Sequence, residues 1–567
     1  MKKIIIILGI IFLIIISVFA ILIFMKNGSN KDVEIYGKYD EEDLDITIPG
    51  VFNSSIKLSD DGIEISGSGA SIDGNTVKID SSGIYNIYGS ISQGQIIIDV
   101  SKDLEVRLVL NGASISNSSV APIYIKSSKK TIITLADDTK NIIKDERNES
   151  EGDENGAIFS KDDLTINGNG SLEVYTSYED GIVCKDNLKI IGANISVVAE
   201  DDGIRGNDSF CVKDASINVI ANSDGIKSNK EDDTEEVGNI FIQDSTINIT
   251  AGGGSKSSNI SSSKIPFDKN ATSNIDESKK GIKASNLIAI VSGTIQIDSY
   301  DDSIHSNKDI YIYDGDILLS SNDDAVHADE TLTINGGSIN IKKSYEGLEA
   351  KNININSGTI HIISEDDGIN ICSENDMSFI NPKNNNSKNS KNRFLINGGY
   401  IVVDASGDGL DSNGSIYMSG GVVIVNGPTS DKDSPLDYDG TFEITGGILV
   451  AVGSQGMFQT TSNSSTQCSI TYYFNSDQKA GNIINVEDNS GNNIITFSPS
   501  KAYRAILIST PEIRLNNSYK IYFGGSIKEL NSDGIYFGDD YEKGSKYTSL
   551  TISSVNTIIG NKSNSMH

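Results

Sequence analysis

The chain has 567 residues, 37% of them apolar, with 54 glycines, 8 prolines, no tryptophan and a formal net charge of −32. A charge of that sign and size excludes nucleic acid as a partner and favours cations or basic ligands. The four cysteines (Cys184, Cys211, Cys372 and Cys468) have no paired spacing, which argues for buried thiols rather than disulfides or a metal knuckle.

Lys2-Lys3 opens a nearly unbroken apolar run from Ile4 to Met25. The run is long enough to span a bilayer as a helix, and the lysine pair keeps the N-terminus inside. The expectation is an uncleaved signal anchor, residues 1–25, that puts a single-pass protein in the cell membrane with everything after it outside. Cleavage at Val18-Phe19-Ala20 is the alternative and would leave the chain secreted. Lys26 to Asp45 reads as a polar, acidic stalk. Residues 46–155 are β-rich but irregular in period (GIYNIYGSISQGQIIIDV, LEVRLVLNGASI, APIYIKSSKKTIITL). They are expected to form an N-terminal β cap with irregular coils, shielding the end of the regular stack.

From 156 to 453 a fixed period takes over. Asp202-Gly203-Ile204 and Asp224-Gly225-Ile226 stand 22 residues apart, with the alternating pairs Phe210/Val212 and Ile217/Val219 between them. Alternation marks half-buried strands, and Gly, Asn and Asp mark the corners. The same signal recurs at Asp180, Lys280, Asp302, Asp324, Glu346, Asp367 and Asp408. Weaker coils begin at Gly156 and near Ser434. Two polar insertions, 228–279 and 373–393, interrupt the period without shifting its register. A repeat of about 22 residues with three short strands predicts an all-β parallel β-helix of about eleven coils. Residues 454–567 lose the period and read as a C-terminal β cap.

Stacking turns the repeat into columns. The corner carries Asp180, Asp202, Asp224, Asp302, Asp324 and Asp367, with Asp201, Asp301, Asp323 and Asp366 just before. Carboxylates stacked at strand spacing repel unless neutralised, and Ca²⁺ suits them because it accepts about six to eight oxygens in loose geometry. The competing account is that Asp-Gly is favourable turn chemistry, which explains one such pair but not the doubled acids. Three residues on from the corner acid stand Arg205, Lys227, Lys283, His305 and His327, each following an inward apolar residue and so expected to face outward. They either neutralise the acids by surface pairs or present a strip for the carboxylates of an acidic polysaccharide. His305 and His327 are also candidate metal ligands, although imidazoles among so many carboxylates are more often salt-bridged. Tyr178 and Tyr300 precede the acidic corner and offer rings for sugar stacking, or pack at the corner. No nucleophile or metalloprotease signature is present. A glycosidase pair among so many acids stays open. A β-elimination lyase would need Ca²⁺ and a base, for which Arg205 or Lys227 are the nominees.

The stretches GIYNIYGSISQGQIIID (83–99), VRLVLNGASI (106–115), KDDLTINGNGSLEV (161–174), the DGI corners and SPSKAYRAILISTPEI (498–513) resemble the bacterial family of carbohydrate-binding domain-containing proteins. The resemblance implies a right-handed parallel β-helix like that of polysaccharide lyases, outside the cell. It also implies several Ca²⁺ ions and an acidic or plant cell-wall polysaccharide as ligand, without catalysis. Its acidic corners map onto Asp201/Asp202, Asp224, Asp301/Asp302, Asp323/Asp324 and Asp366/Asp367. Lys280, preceded by Lys279, departs from the pattern and puts calcium at that coil in doubt. The expected function is calcium-dependent carbohydrate binding at the cell surface. The alternatives are a pectate-type lyase and an adhesive β-helix that binds a protein.

Overall fold

Three short strands per period can bury their apolar faces only against the coils before and after them. In the computed structural model, which describes residues 35–148, 152–231, 237–256, 278–372, 391–528, 531–538 and 540–562, that is what they do. The first strand of each coil forms one parallel ladder, running Ile158, Ile182, Ile204, Ile226, Ile282, Ile304, Val326, Leu348, Ile369, Leu410 and Leu436. A second passes through Leu188, Phe210, Ile240, Ile288, Ile310 and Leu332. A third passes through Ile195, Ile217, Ile247, Ile295 and Ile317. The fold is all-β, with parallel strands pairing coil to coil as in a β-helix, and the ladder residues make one continuous core.

The first insertion is not the single stretch 228–279 that was expected, because Asn239–Gln243 and Ser245–Ala251 within it are the second and third strands of a coil. Both insertions leave the first ladder intact, with Ile226 paired to Ile282 and Ile369 to Leu410. Stacking also continues below residue 156, where Ile158 pairs with Ile123 and Ile166 with Ile133, so the irregular coils belong to the same stack. The lower end is closed by antiparallel pairing of Ser54–Leu58 with Glu64–Gly67 and of Ala70–Asp73 with Thr76–Ile79. At the upper end Ile448–Gly453 pairs antiparallel with Tyr503–Ser509, next to a separate five-stranded antiparallel sheet in the C-terminal region.

The corner between second and third strands requires a left-handed residue: Gly192 has φ 68°, Asp214 52° and Asp244 47°. Asp and Gly are the residues that adopt this conformation at least cost. The Gly of the Asp-Gly-Ile corner has a different role, because its φ is not left-handed. A Cβ at Gly203 would stand 2.3 Å from Val219 Cγ1 and 2.6 Å from the carbonyl oxygen of Gly225, so the glycine permits close stacking of coils.

The chain divides into two units, Met1–Ile35 and Tyr36–His567. The expected membrane helix lies outside the described residues, and no helix among the described residues is long and apolar enough to cross a membrane. The part of the expected stalk that is described, from Tyr36 on, does not stand free. The short helix Glu41–Leu44 sets Asp43 against the coils, fully buried, where it accepts from Lys189 Nζ at 2.6 Å and Thr165 Oγ1 at 2.7 Å and pairs with Lys130 at 3.0 Å. Burial alone raises the Asp43 carboxyl, and these donors bring it down to about 2. None of the four cysteines forms a disulfide.

Candidate cation-binding corner

The first-strand ladder puts the corner acids on one edge of the stack. Asp180, Asp202, Asp224 and Asp302 are buried, at 0–2% exposure, rather than ranged along the outside. One oxygen of each has a backbone task. Asp202 N donates to Asp180 Oδ1 at 3.0 Å, Asp224 N to Asp202 Oδ1 at 3.1 Å, and Lys280 N to Asp224 Oδ1 at 2.9 Å. Asp324 N donates to Asp302 Oδ1 at 3.0 Å and Asp408 N to Asp367 Oδ1 at 2.6 Å. Aspartate recurs here because it ties each corner to the next, a reason distinct from isolated turn preference.

The other oxygen meets a cation in the lower coils. Arg205 pairs with Asp180 Oδ2. Lys227 bridges Asp202 Oδ2 at 3.0 Å and Asp224 Oδ2 at 2.8 Å. Lys280 reaches Asp302 at 2.6 Å and Asp301 at 3.0 Å, and Lys283 bonds Ser278 beside Asp224. The side chains of Arg205 and Lys227 are only 13% and 16% exposed. The expected outward cationic strip therefore folds back on the acids, because a buried carboxylate without a partner is costly. Burial still outweighs Arg205 at Asp180, whose carboxyl rises to about 8, and Asp202 is also raised. Asp224 and Asp302, also buried, are nevertheless held low by Lys227 and Lys283 and by His305 and Lys280. Lys227, despite its burial, is held protonated by Asp224 and Asp202, so it does not fit the role of a base.

The nominated tyrosines have cations over their rings: Arg147 lies 5.4 Å from the Tyr178 centroid and Lys279 lies 5.2 Å from that of Tyr300. Asp201 sits within 4.8 Å of Asp180 and Asp202, and Asp323 within the same distance of Asp301 and Asp302.

Above Glu346 the column changes character. Asp367, Asp408 and Asp411 bring carboxylate oxygens within 4.8 Å of one another, and all three are half-buried. No Lys, Arg or His among the described residues pairs with any of them. Burial, with Asp366 close by, pushes Asp367 up to about 8, burial with Asp367 and Asp408 pushes Asp411 up to about 8, and burial lifts Asp408 to about 7. Glu346 rises to about 9 through burial and the nearby Glu349 and Asp324. Asn370 lies in register with Asp411 on the next coil. Its Nδ2 donates to Glu346 Oε2 on the coil below at 2.9 Å, so Oδ1 points away from Glu346; it is buried and has no hydrogen-bond partner. The three carboxylates form an all-oxygen donor set, with Asn370 beside Asp411 in the ladder. Sequence reasoning named Asp366 and Asp367 as metal ligands and put Asp408 in the same acidic column, but it did not name Asp408 or Asp411 as ligands. The cue was the change of the third position from Arg, Lys and His to Glu349, Asn370 and Asp411.

The family model of carbohydrate-binding domain-containing proteins matches residues 73–325, so the family to which the sequence pointed is the one whose model matches. A curated carbohydrate-binding domain-containing protein of Acetivibrio thermocellus is 42% identical over 122 residues, 21% of this chain and 43% of that protein. The chain thus spans less than half the length of that relative. Among solved structures, the polysaccharide lyase-like protein from C. thermocellum, as its gadolinium derivative, is 27% identical. The match covers 53% of this chain and 96% of that one, with a TM-score of 0.36.

Proposed function

We propose that this chain is a cell-surface, non-catalytic carbohydrate-binding protein that grips acidic or plant cell-wall polysaccharide through calcium. The matched family supports a carbohydrate ligand. The observation that carries the ionic part is the group Asp367, Asp408 and Asp411, whose carboxylates crowd together without a basic partner among the described residues. With Asn370 Oδ1 they offer calcium the hard oxygen ligands it takes, and their partial exposure leaves room for sugar oxygens to complete the shell. Asp180, Asp201, Asp202, Asp224, Asp301, Asp302, Asp323 and Asp324 were also expected to hold calcium. Asp180, Asp202, Asp224, Asp301 and Asp302 now have cations of the chain itself beside them, so we place calcium in the upper coils. The reading includes a right-handed winding of the coils and an anchor at residues 1–25 that holds the protein outside the membrane.

Retention on polygalacturonate but not on a neutral glucan, abolished by chelator, is the expected result of a pull-down. Retention on neither polymer, together with calcium-dependent thermal stability, would favour an adhesive β-helix that binds a protein. A rise in ultraviolet absorbance on polygalacturonate, from unsaturated sugar, would make the protein a lyase. The two nominated bases, Arg205 and Lys227, lend that outcome nothing, because both are ion-paired.

A further inference from the structure

Between the self-neutralised coils and those whose corner acids pair with no cation among the described residues stand His305 and His327, in register on successive coils with ring centroids 4.8 Å apart. Each ring has Nε2 directed at an oxygen off the column: Asn307 Oδ1 at 3.1 Å for His305 and Asp329 Oδ1 at 3.2 Å for His327. In the tautomer that donates Nε2–H to that carbonyl or carboxylate oxygen, Nδ1 presents its lone pair to the column. Metal-ligating histidines are oriented in this way by an oxygen on the far side of the ring. His327 Nδ1 lies 2.9 Å from Asp324 Oδ2 and 3.2 Å from Glu349 Oε2, while His305 Nδ1 lies 2.8 Å from Asp302 Oδ2. The donor atoms of Asp324, His327 and Glu349 all fall within 4.8 Å, as do those of Asp302, His305 and His327. The Asp324 and Glu349 carboxylate oxygens also lie within 4.8 Å of one another, and like charges that close call for a shared proton or a cation. A cavity of 320 Å³, lined by these side chains with Tyr345 and Glu346, opens over the group.

We propose that Asp324, His327 and Glu349, with the His305 ring beside His327, form a site for a divalent transition cation of the zinc class, distinct from the all-oxygen group at Asp367. Two imidazoles with two carboxylates suit zinc-like ions, whereas calcium seeks oxygen alone. Asp302 is left outside the set because Lys280 already holds it at 2.6 Å. This site does not depend on polysaccharide binding.

The test is titration of the chelator-stripped full chain, in detergent, with Zn²⁺ by calorimetry and with Co²⁺ by visible absorption, both in excess Ca²⁺. The expected result is one Zn²⁺ per chain that Ca²⁺ does not displace, and Co²⁺ bands of a four-coordinate, nitrogen-containing site. His305→Gln with His327→Gln should abolish both signals. Asp329→Asn should weaken Zn²⁺ by about 10–100-fold, and Asp411→Asn should leave it unchanged. Circular dichroism checks that the variants fold, and the Co²⁺ spectrum of the unaltered chain decides the matter if they do not. Absence of Zn²⁺ binding, displacement by Ca²⁺, or Zn²⁺ binding unchanged in the double variant overturns the proposal.

Discussion

Asp202 uses its two oxygens differently: Oδ1 accepts the backbone N–H of Asp224 at 3.1 Å while Oδ2 holds the ammonium of Lys227 at 3.0 Å. One residue thus sets the stacking of two coils and seats the cation that makes its own burial tolerable. Where no cation among the described residues pairs with the acids, at Asp367, Asp408 and Asp411, the stacking role persists and the charge problem does not go away.

Removing the shared cation should therefore be costly. Lys227→Met leaves Asp202 and Asp224 buried without their bridge, and breaking such a pair from one side costs about 3–5 kcal/mol. Urea unfolding of the variant should show a loss of that order. A loss below about 1 kcal/mol would mean the column is neutralised some other way.

The opposite holds higher up. Asp411→Asn takes one charge from a group that pairs with no cation among the described residues, so it should raise the melting temperature in chelator while reducing the increase that calcium brings. Differential scanning calorimetry with and without calcium reads both effects. A variant that melts lower in chelator would show that Asp411 has a structural partner after all.

The sign of the pH dependence is set by the same group. Glu346, Asp367, Asp408 and Asp411 titrate in the fold at about 9, 8, 7 and 8, all above ordinary carboxylates. A raised folded value means the fold binds protons more tightly than the unfolded chain does. That contribution is complete below the usual carboxylate range and is lost as pH climbs through 7 to 9. In chelator the melting temperature should fall between about pH 5.5 and about pH 8.5, and calcium should raise it mainly at the upper value. Equal calcium stabilisation at both values would contradict the assignment.

At the corner glycine, Gly203→Ala forces a methyl group to within 2.3 Å of Val219 Cγ1 and should cost about 1–3 kcal/mol by overpacking. Ala325→Gly, at the corresponding corner position higher in the ladder, should cost no more than about 1 kcal/mol. Thermal melts of the two variants compare them directly.

The ladders were legible in the sequence because the inward residues repeat with the coil: Ile204, Ile226, Ile282 and Ile304 pair as the 22-residue step and its insertion require. The corner acids were legible for the same reason. What the step does not encode is where a long side chain turns. Lys227 and its neighbours were placed outward by alternation, yet charge draws them inward to Asp202 and Asp224. Asp367 and Asp408 were legible as one column across the 373–393 insertion, but the turn of Asp411 toward them was not, and the open oxygen of Asn370 appears only once its Nδ2 is seen to donate to Glu346. The docking of Asp43 on Lys130 and Lys189 joins residues too far apart in sequence for any local pattern to announce.

A crystal of the full-length chain grown in calcium, with anomalous scattering used to locate the ions, tests the division of the corner most directly. The account predicts density among Asp367, Asp408 and Asp411, and none between Asp202 and Asp224, where Lys227 remains in place. Calcium between Asp202 and Asp224 with Lys227 displaced, or no ion at Asp367, would contradict it.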